Sequence, residues 1–179
     1  MNRFRLPIAA FALLVVVLAV GIGRAPQKSV IQSVLIGKPA PAYVLPQVGQ
    51  GGSFDSSSMK GRWYALNVWG TWCVECRAEH DTLLAIRRQG EVPLIGLNWK
   101  DDDALALEWL QRLGDPYERV PADREGRVAI DYGVYGAPET FLVDAEGRVV
   151  HKHVGPLTME IWERDFRAKL PAAVRKVAS

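Results

Sequence analysis

The chain of 179 residues has only two cysteines, and they stand with two residues between them, Cys73-Val74-Glu75-Cys76. The apolar run Tyr64-Ala65-Leu66-Asn67-Val68-Trp69 comes before them and reads as a strand. A helical pattern over residues 74–88 follows. A Cys-x-x-Cys between a strand and a helix points to thiol–disulfide redox chemistry. Cys73 falls at the helix start, where free backbone N–H groups and the helix dipole favour a thiolate. Cys76 lies one turn on, within reach of a mixed disulfide formed at Cys73. Glu75 sets a negative charge beside the pair, which opposes thiolate formation and partly offsets the dipole.

Other uses of two such cysteines are weaker. A structural disulfide would close so short a loop that it stabilises little. A zinc site wants about four ligands; His80 offers a third, and no fourth stands nearby. Covalent haem attachment wants His directly after the second cysteine, and Arg77 is there instead.

The elements that must position the cysteines follow from pattern and composition. The length suits one domain of about 150 residues plus an extension. Residues 1–54 carry five basic residues (Arg3, Arg5, Arg24, Lys28, Lys38) and no acid, whereas the rest carries 17 basic and 20 acidic residues, a net charge of −3. A mildly acidic domain argues against nucleic-acid binding, which wants a clustered basic face. Residues 6–23 form an uncharged run of 18, led by Arg3 and Arg5 and closed by Arg24. That is near the length of a membrane-crossing helix and longer than a usual signal-peptide core, with no Ala-x-Ala site after it. The expected organisation is an uncleaved signal anchor over 1–24, a tether over 25–36 and a domain over 37–179. A cytoplasmic N-terminus and an extracytoplasmic domain follow, so a dithiol kept reduced there must be supplied with electrons.

Within the domain, residues 43–46 and 52–54 read as short strands around a Gly-rich turn. Residues 64–69 and 92–98 read as buried strands, with a charged turn at 99–103 capping a helix over 104–113. That helix is expected to pack through Leu105, Trp109 and Leu113. Residues 117–120 are a further strand candidate, and 128–132 a short helix. Residues 140–143 and 149–154 form a hairpin pattern, and 158–170 an amphipathic closing helix with Ile161, Phe166 and Leu170 inward. The order β–β–β–α–β–α–β–α–β–β–α predicts an α/β domain, a mixed sheet with helices on its faces.

Trp72-Cys73-x-x-Cys76 with the later run Gly136-Ala137-Pro138-Glu139-Thr140-Phe141 resembles the thioredoxin superfamily. Four segments narrow the match: Leu66-Asn67-Val68-Trp69-Gly70-Thr71-Trp72-Cys73, Cys76-Arg77-Ala78-Glu79-His80, Asn98-Trp99-Lys100-Asp101-Asp102, and Gly133-Val134-Tyr135-Gly136-Ala137-Pro138-Glu139-Thr140-Phe141. Together they resemble the CcmG or DsbE family, membrane-anchored thioredoxin-like proteins of cytochrome c maturation. The resemblance runs over about residues 37–170. It implies a thioredoxin fold with a central mixed sheet flanked by helices, an N-terminal β-hairpin and a central insertion. It implies a reductant, without cofactor or metal, acting on apocytochrome c or on a partner thiol protein of haem assembly. The implied electron donor is a DsbD-type transmembrane protein, and the implied location is the bacterial inner membrane with the domain in the periplasm. Sites of this family often carry proline between the cysteines; here the pair is Val74-Glu75.

The resemblance also assigns roles. Cys73 is the nucleophile and Cys76 the resolving thiol, giving a redox-active Cys73–Cys76 disulfide. Pro138 is a cis-proline beside the pair, leaving the Ala137 backbone free to pair with an extended substrate. Trp72, beside a cysteine expected to be exposed, and Tyr135 are expected substrate contacts. Asn67 stands where thioredoxins commonly carry Asp and reads as a hydrogen-bonded core residue. Glu79, three residues after Cys76, and Glu139, just after Pro138, are the candidates to raise thiol pKa values and move protons. His151 and His153 share a strand face and read as solvated. The rivals are an oxidant that makes disulfides, a peroxidase on the same fold, and a non-catalytic module that holds apocytochrome.

Overall fold

The computed structural model describes residues 5–23, 34–49 and 51–175. The chain divides into two compact units, Met1–Ile31 and Gln32–Ser179. In the first, α1 is the 19-residue helix Arg5–Gly23. Among the described residues, no helix is long and apolar enough to cross a membrane. Residues 25–33 of the expected tether lie outside the described residues.

The second unit holds two sheets. The N-terminal hairpin is the small antiparallel sheet of β1 (Val44–Pro46) and β2 (Ser53–Asp55). The main sheet has five strands: β3 (Tyr64–Trp69), β4 (Leu94–Trp99), β5 (Ala122–Asp123), β6 (Glu139–Val143) and β7 (Val149–Val154). Their order is β5-β4-β3-β6-β7. β3 runs parallel to β4, and β4 to β5, while β6 is antiparallel to both β3 and β7. The sheet is mixed, as the element order requires.

β3 is buried along its whole length, because a core covers each face of the sheet. Alternation along the strand divides its side chains between the two. Ala65 and Trp69 join Leu83 and Ile86 of α2 (Val74–Gln89), Trp109 of α3 (Asp103–Leu113), and Trp162 and Phe166 of the closing segment. Leu66 and Val68 join Phe54, Phe141, Val143 and Val128 of α4 (Arg127–Asp131) on the opposite face.

Four expectations are corrected. Residues 117–120 are not a strand, and β5 comes at 122–123. The segment still runs beside β4: Glu118 N donates to Leu94 O, and Gly96 N and Asn98 N donate to Arg119 O and Pro121 O. Pro121 has no N–H to return, so the ladder is interrupted there. In α3, Trp109 is buried and Leu113 packs partly against the same cluster as expected, joined by Ala106 and Leu110, while Leu105 is exposed. An i, i+3, i+4 stripe starting at 106 buries the Trp109 ring, and that stripe turns 105 outward. His151 and His153 are half-buried rather than solvated. The closing segment covers them, with the His151 ring edge-on to Phe166 at 4.8 Å.

That closing segment is capped by the Thr158 side chain and is not one regular helix. An α turn, α5 (Met159–Ile161), passes into a π turn (Trp162–Phe166) and a 3-10 turn (Arg167–Lys169), before α6 (Ala172–Arg175). Trp162, Phe166 and Leu170 point inward, and Ile161 only partly.

Candidate active site

β3 delivers the chain to Gly70, and a three-residue loop carries it to Cys73, the N-cap of α2. The cysteines are joined as a disulfide. Cys76 N, one of the amides left free at a helix start, donates to Cys73 Sγ at 3.0 Å. In the reduced protein the same amide and the helix dipole stabilise negative charge on that sulfur. Cys73 is only 5% exposed, against the expectation of an exposed thiol. Its side chain folds back onto the first turn of α2 and packs in the core cluster that also holds Trp69 and Leu157.

The loop ahead of Cys73 is pinned by Asp101, a residue of the charged turn after β4. Asp101 Oδ2 accepts from Thr71 N at 2.7 Å and Asn98 Nδ2 at 2.9 Å. Its Oδ1 accepts from Thr71 Oγ1 at 2.6 Å and Asp102 N at 3.0 Å. Trp72 leans on the same turn: its Nε1 donates to Trp99 O at 3.1 Å, and the two rings meet edge-on at 5.6 Å. The Trp72 ring remains 52% exposed.

Asn67 is fully buried and makes three side-chain hydrogen bonds. Its Nδ2 donates to Glu79 Oε1 at 2.8 Å and Thr140 Oγ1 at 3.1 Å, and its Oδ1 accepts from Tyr117 Oη at 2.8 Å. Glu79 is 1% exposed, and its Oε2 accepts from Leu157 N at 2.6 Å. Burial pushes the Glu79 carboxyl up to about 7, against the two hydrogen bonds that favour its charged form. A buried carboxyl one turn beyond Cys76 can therefore hold or release a proton near neutral pH.

Glu139 is equally buried but belongs to a different cluster. Thr140 lies opposite Asn67 in the β3–β6 register, so Glu139, its neighbour in β6, points to the other face of the sheet. There Lys152 Nζ sits 2.8 Å from its Oε2, while its Oε1 accepts from Tyr135 N at 3.1 Å. The structure does not bring Glu79 and Glu139 into one proton-transfer group. The Ala137–Pro138 bond is cis, and Pro138 O accepts from Gly155 N. Among the described residues, Ala137 makes no backbone hydrogen bond. Tyr135 is 58% exposed.

Tyr117, Thr140, Asp101 and Lys152 complete these clusters and were not singled out from the sequence. The signal for Lys152 was there: a lysine between two histidines in a strand opposite the apolar run of β6.

A mixed sheet with a disulfide at the N-terminus of a helix and a cis-proline just ahead of β6 is the constellation of a thioredoxin-like thiol–disulfide oxidoreductase. The family model described as Redoxin matches residues 35–170. The chain belongs to the DsbE family of thiol:disulfide interchange proteins. It is 41% identical over 166 residues to the protein of that name from Yersinia pestis, covering 90% of this chain and 88% of the relative. It is 42% identical over 167 residues to the one from Allochromatium vinosum, covering 93% and 91%. The solved structure of a DsbF homologue from Corynebacterium diphtheriae superimposes with a TM-score of 0.67 at 20% identity, covering 79% of this chain and 96% of that one, and supports the fold alone.

Proposed function

We propose that the protein is a membrane-anchored, periplasmic disulfide reductase of cytochrome c maturation. It keeps the haem-attachment cysteines of apocytochrome c reduced, directly or through a partner thiol protein, and is itself re-reduced by a DsbD-type transmembrane donor. The observation that carries the redox step is Cys73 at the N-cap of α2 with its sulfur on the Cys76 amide. The DsbE name of the relatives supports the pathway. The uncharged run 6–23, led by Arg3 and Arg5, supports the anchor as a sequence pattern.

The reaction balances as two exchanges. The Cys73 thiolate attacks one sulfur of the substrate disulfide; a Cys73–substrate disulfide forms and the other substrate sulfur leaves as a thiolate, which takes up a proton. Cys76 then gives its proton to the Glu79 carboxylate and attacks Cys73 Sγ. The second substrate sulfur leaves, and both electrons of the Cys73–Cys76 dithiol have passed to the substrate. Trp72, Tyr135 and the free Ala137 backbone line the approach and hold the substrate chain extended.

The test is to trap the intermediate. Cys76→Ser in the full-length protein leaves the mixed disulfide on Cys73 unresolved, and the attached protein is identified. Apocytochrome c or a haem-assembly thiol protein is the expected catch. A broad set of periplasmic proteins would make this a general reductase instead.

A further inference from the structure

We propose that Lys152 is a positioning residue for substrate binding: its buried ammonium, balanced by Glu139, holds the loop 133–138 in the shape that presents Tyr135 and the Ala137 backbone. The inference rests on the reading of that loop as the substrate platform.

The Lys152 side chain is 5% exposed and Glu139 is fully buried. In the β6–β7 register Lys152 lies opposite Phe141, and Glu139 is the diagonal neighbour on the same face. The ammonium has four partners. Glu139 Oε2 lies at 2.8 Å, Gly133 O accepts at 2.9 Å, and the Tyr135 and Phe141 rings lie 5.0 and 5.2 Å away. Glu139 Oε1 meanwhile accepts from Tyr135 N.

One ion pair thus grips the loop at three places: the Gly133 carbonyl, the Tyr135 amide and the Tyr135 ring. All three precede the cis Ala137–Pro138 bond in a seven-residue stretch that ends at Glu139 itself. An apolar pair of the same size would serve stability as well as a buried ion pair or better. What the charges add is direction. The ammonium needs a carbonyl and ring faces around it, and the carboxylate needs an amide, so the loop has one low-energy path from α4 into β6. Tyr135 is then held face-down on a cation, more than half exposed, as a rigid aromatic beside an unpaired backbone.

The experiment compares two disulfides against the reduced full-length protein in single-turnover mixing. The first is a synthetic Cys-Ala-Ala-Cys-His peptide closed by its disulfide; the second is oxidised glutathione, which is too small to use the platform. Lys152→Met is expected to lose about fivefold or more in rate constant on the peptide beyond its loss on glutathione, mainly as a higher half-saturating peptide concentration. Lys152→Arg, which keeps the cation, is expected to recover most of the difference. Since Lys152→Met leaves Glu139 buried without its partner, the double variant Lys152→Met with Glu139→Gln is measured beside it and is expected to show the same peptide-selective loss. Equal losses on both disulfides, or none on either, in whichever of these variants folds would overturn the inference while the reductase reading stands. A wild-type protein that reduces glutathione and leaves the peptide untouched would overturn the substrate platform, and this inference with it.

Discussion

Asn67 on β3 and Glu79 on α2 meet in the core beneath the cysteines, with Asn67 Nδ2 2.8 Å from Glu79 Oε1. The contact fixes both partners. With Glu79 charged, the Asn67 amide must turn its NH2 toward it, because its oxygen would otherwise face a carboxylate that can only accept. Tyr117 Oη donates into the other side of the amide, and Leu157 N into the other carboxylate oxygen. The result is a directed chain from Tyr117 through Asn67 to Glu79, closed from the far side by the backbone ahead of the final helix.

Asn67→Leu should cost about 2–4 kcal/mol, since it strands the Tyr117 hydroxyl, the Thr140 hydroxyl and one Glu79 oxygen in the core at once. Tyr117→Phe should cost only about 1 kcal/mol, because one acceptor loses one donor. Urea unfolding of the oxidised proteins gives both values. Similar costs for the two variants would show that Asn67 is not the centre of the network.

Glu79 and the histidines give stability opposite slopes with pH. Burial lifts Glu79 from 4.5 to about 7, so the folded protein holds that proton more tightly than the unfolded chain does. Between about pH 4.5 and 7 stability therefore falls as pH rises, by something of the order of 3 kcal/mol in total. His80, His151 and His153 are all held below their ordinary value by burial. For them the unfolded chain binds protons more tightly, and stability falls as pH drops below about 6.5. In the wild type the two trends offset one another. Glu79→Gln should be less stable overall, because one amide oxygen cannot serve both Asn67 and Leu157. It should also show a steeper rise of stability from pH 5 to 6.5. Unfolding free energies at a series of pH values check this; parallel curves for the two proteins would place the Glu79 titration elsewhere.

The sequence made the frame and the redox pair legible, for physical reasons. A strand apolar on both faces, a Cys-x-x-Cys at a helix start and a hairpin pattern each depend on neighbours within a few residues. Asn67 was readable as a core residue because nothing polar belongs in that strand without partners. Its partners were not readable: Tyr117 and Thr140 are 50 and 73 residues away along the chain. The division of Glu79 and Glu139 between two faces of the sheet follows from the alternation of β6 once its pairing with β3 is known. Sequence alone fixes that alternation but not the side from which α2 approaches. Leu105 misled because two apolar stripes run along α3, and only the packing of Trp109 on Trp69, 6.2 Å between ring centroids, decides which is inward.

Gly96 is required by close approach rather than by backbone conformation. A Cβ there would stand 2.7 Å from the Tyr117 ring and 2.8 Å from Trp69 Nε1. Those two rings are stacked at 5.6 Å and buried, so neither can swing out to solvent. Gly96→Ala should cost about 1–3 kcal/mol by overpacking. It should also perturb the near-ultraviolet circular dichroism of Trp69, which leads directly into the active-site loop. A variant with wild-type stability and spectrum would mean that the sheet yields more easily than its packing implies.

Asp101 connects the stability of the fold to the reactivity of Cys73. All four of its hydrogen bonds are accepted, and two of the donors belong to Thr71, two residues before the cysteine. Asp101→Asn swaps one accepting oxygen for a donating NH2, which then strands at least one backbone amide, that of Thr71 or of Asp102, whichever way the amide turns. The expected cost is about 1–3 kcal/mol for the stranded groups. The further expectation concerns the loop 70–72, which loses its tether to the turn after β4 and frees the Cys73 sulfur from its fixed place on the Cys76 amide. The rate of disulfide exchange by the reduced protein should therefore fall along with stability, and Thr71→Val, which removes only the hydroxyl bond, should give an intermediate rate. Stopped-flow exchange with oxidised glutathione at fixed pH measures it. If Asp101→Asn lowers the unfolding midpoint but exchanges at the wild-type rate, the Asp101–Thr71 contact supports the fold and leaves the nucleophile unaffected.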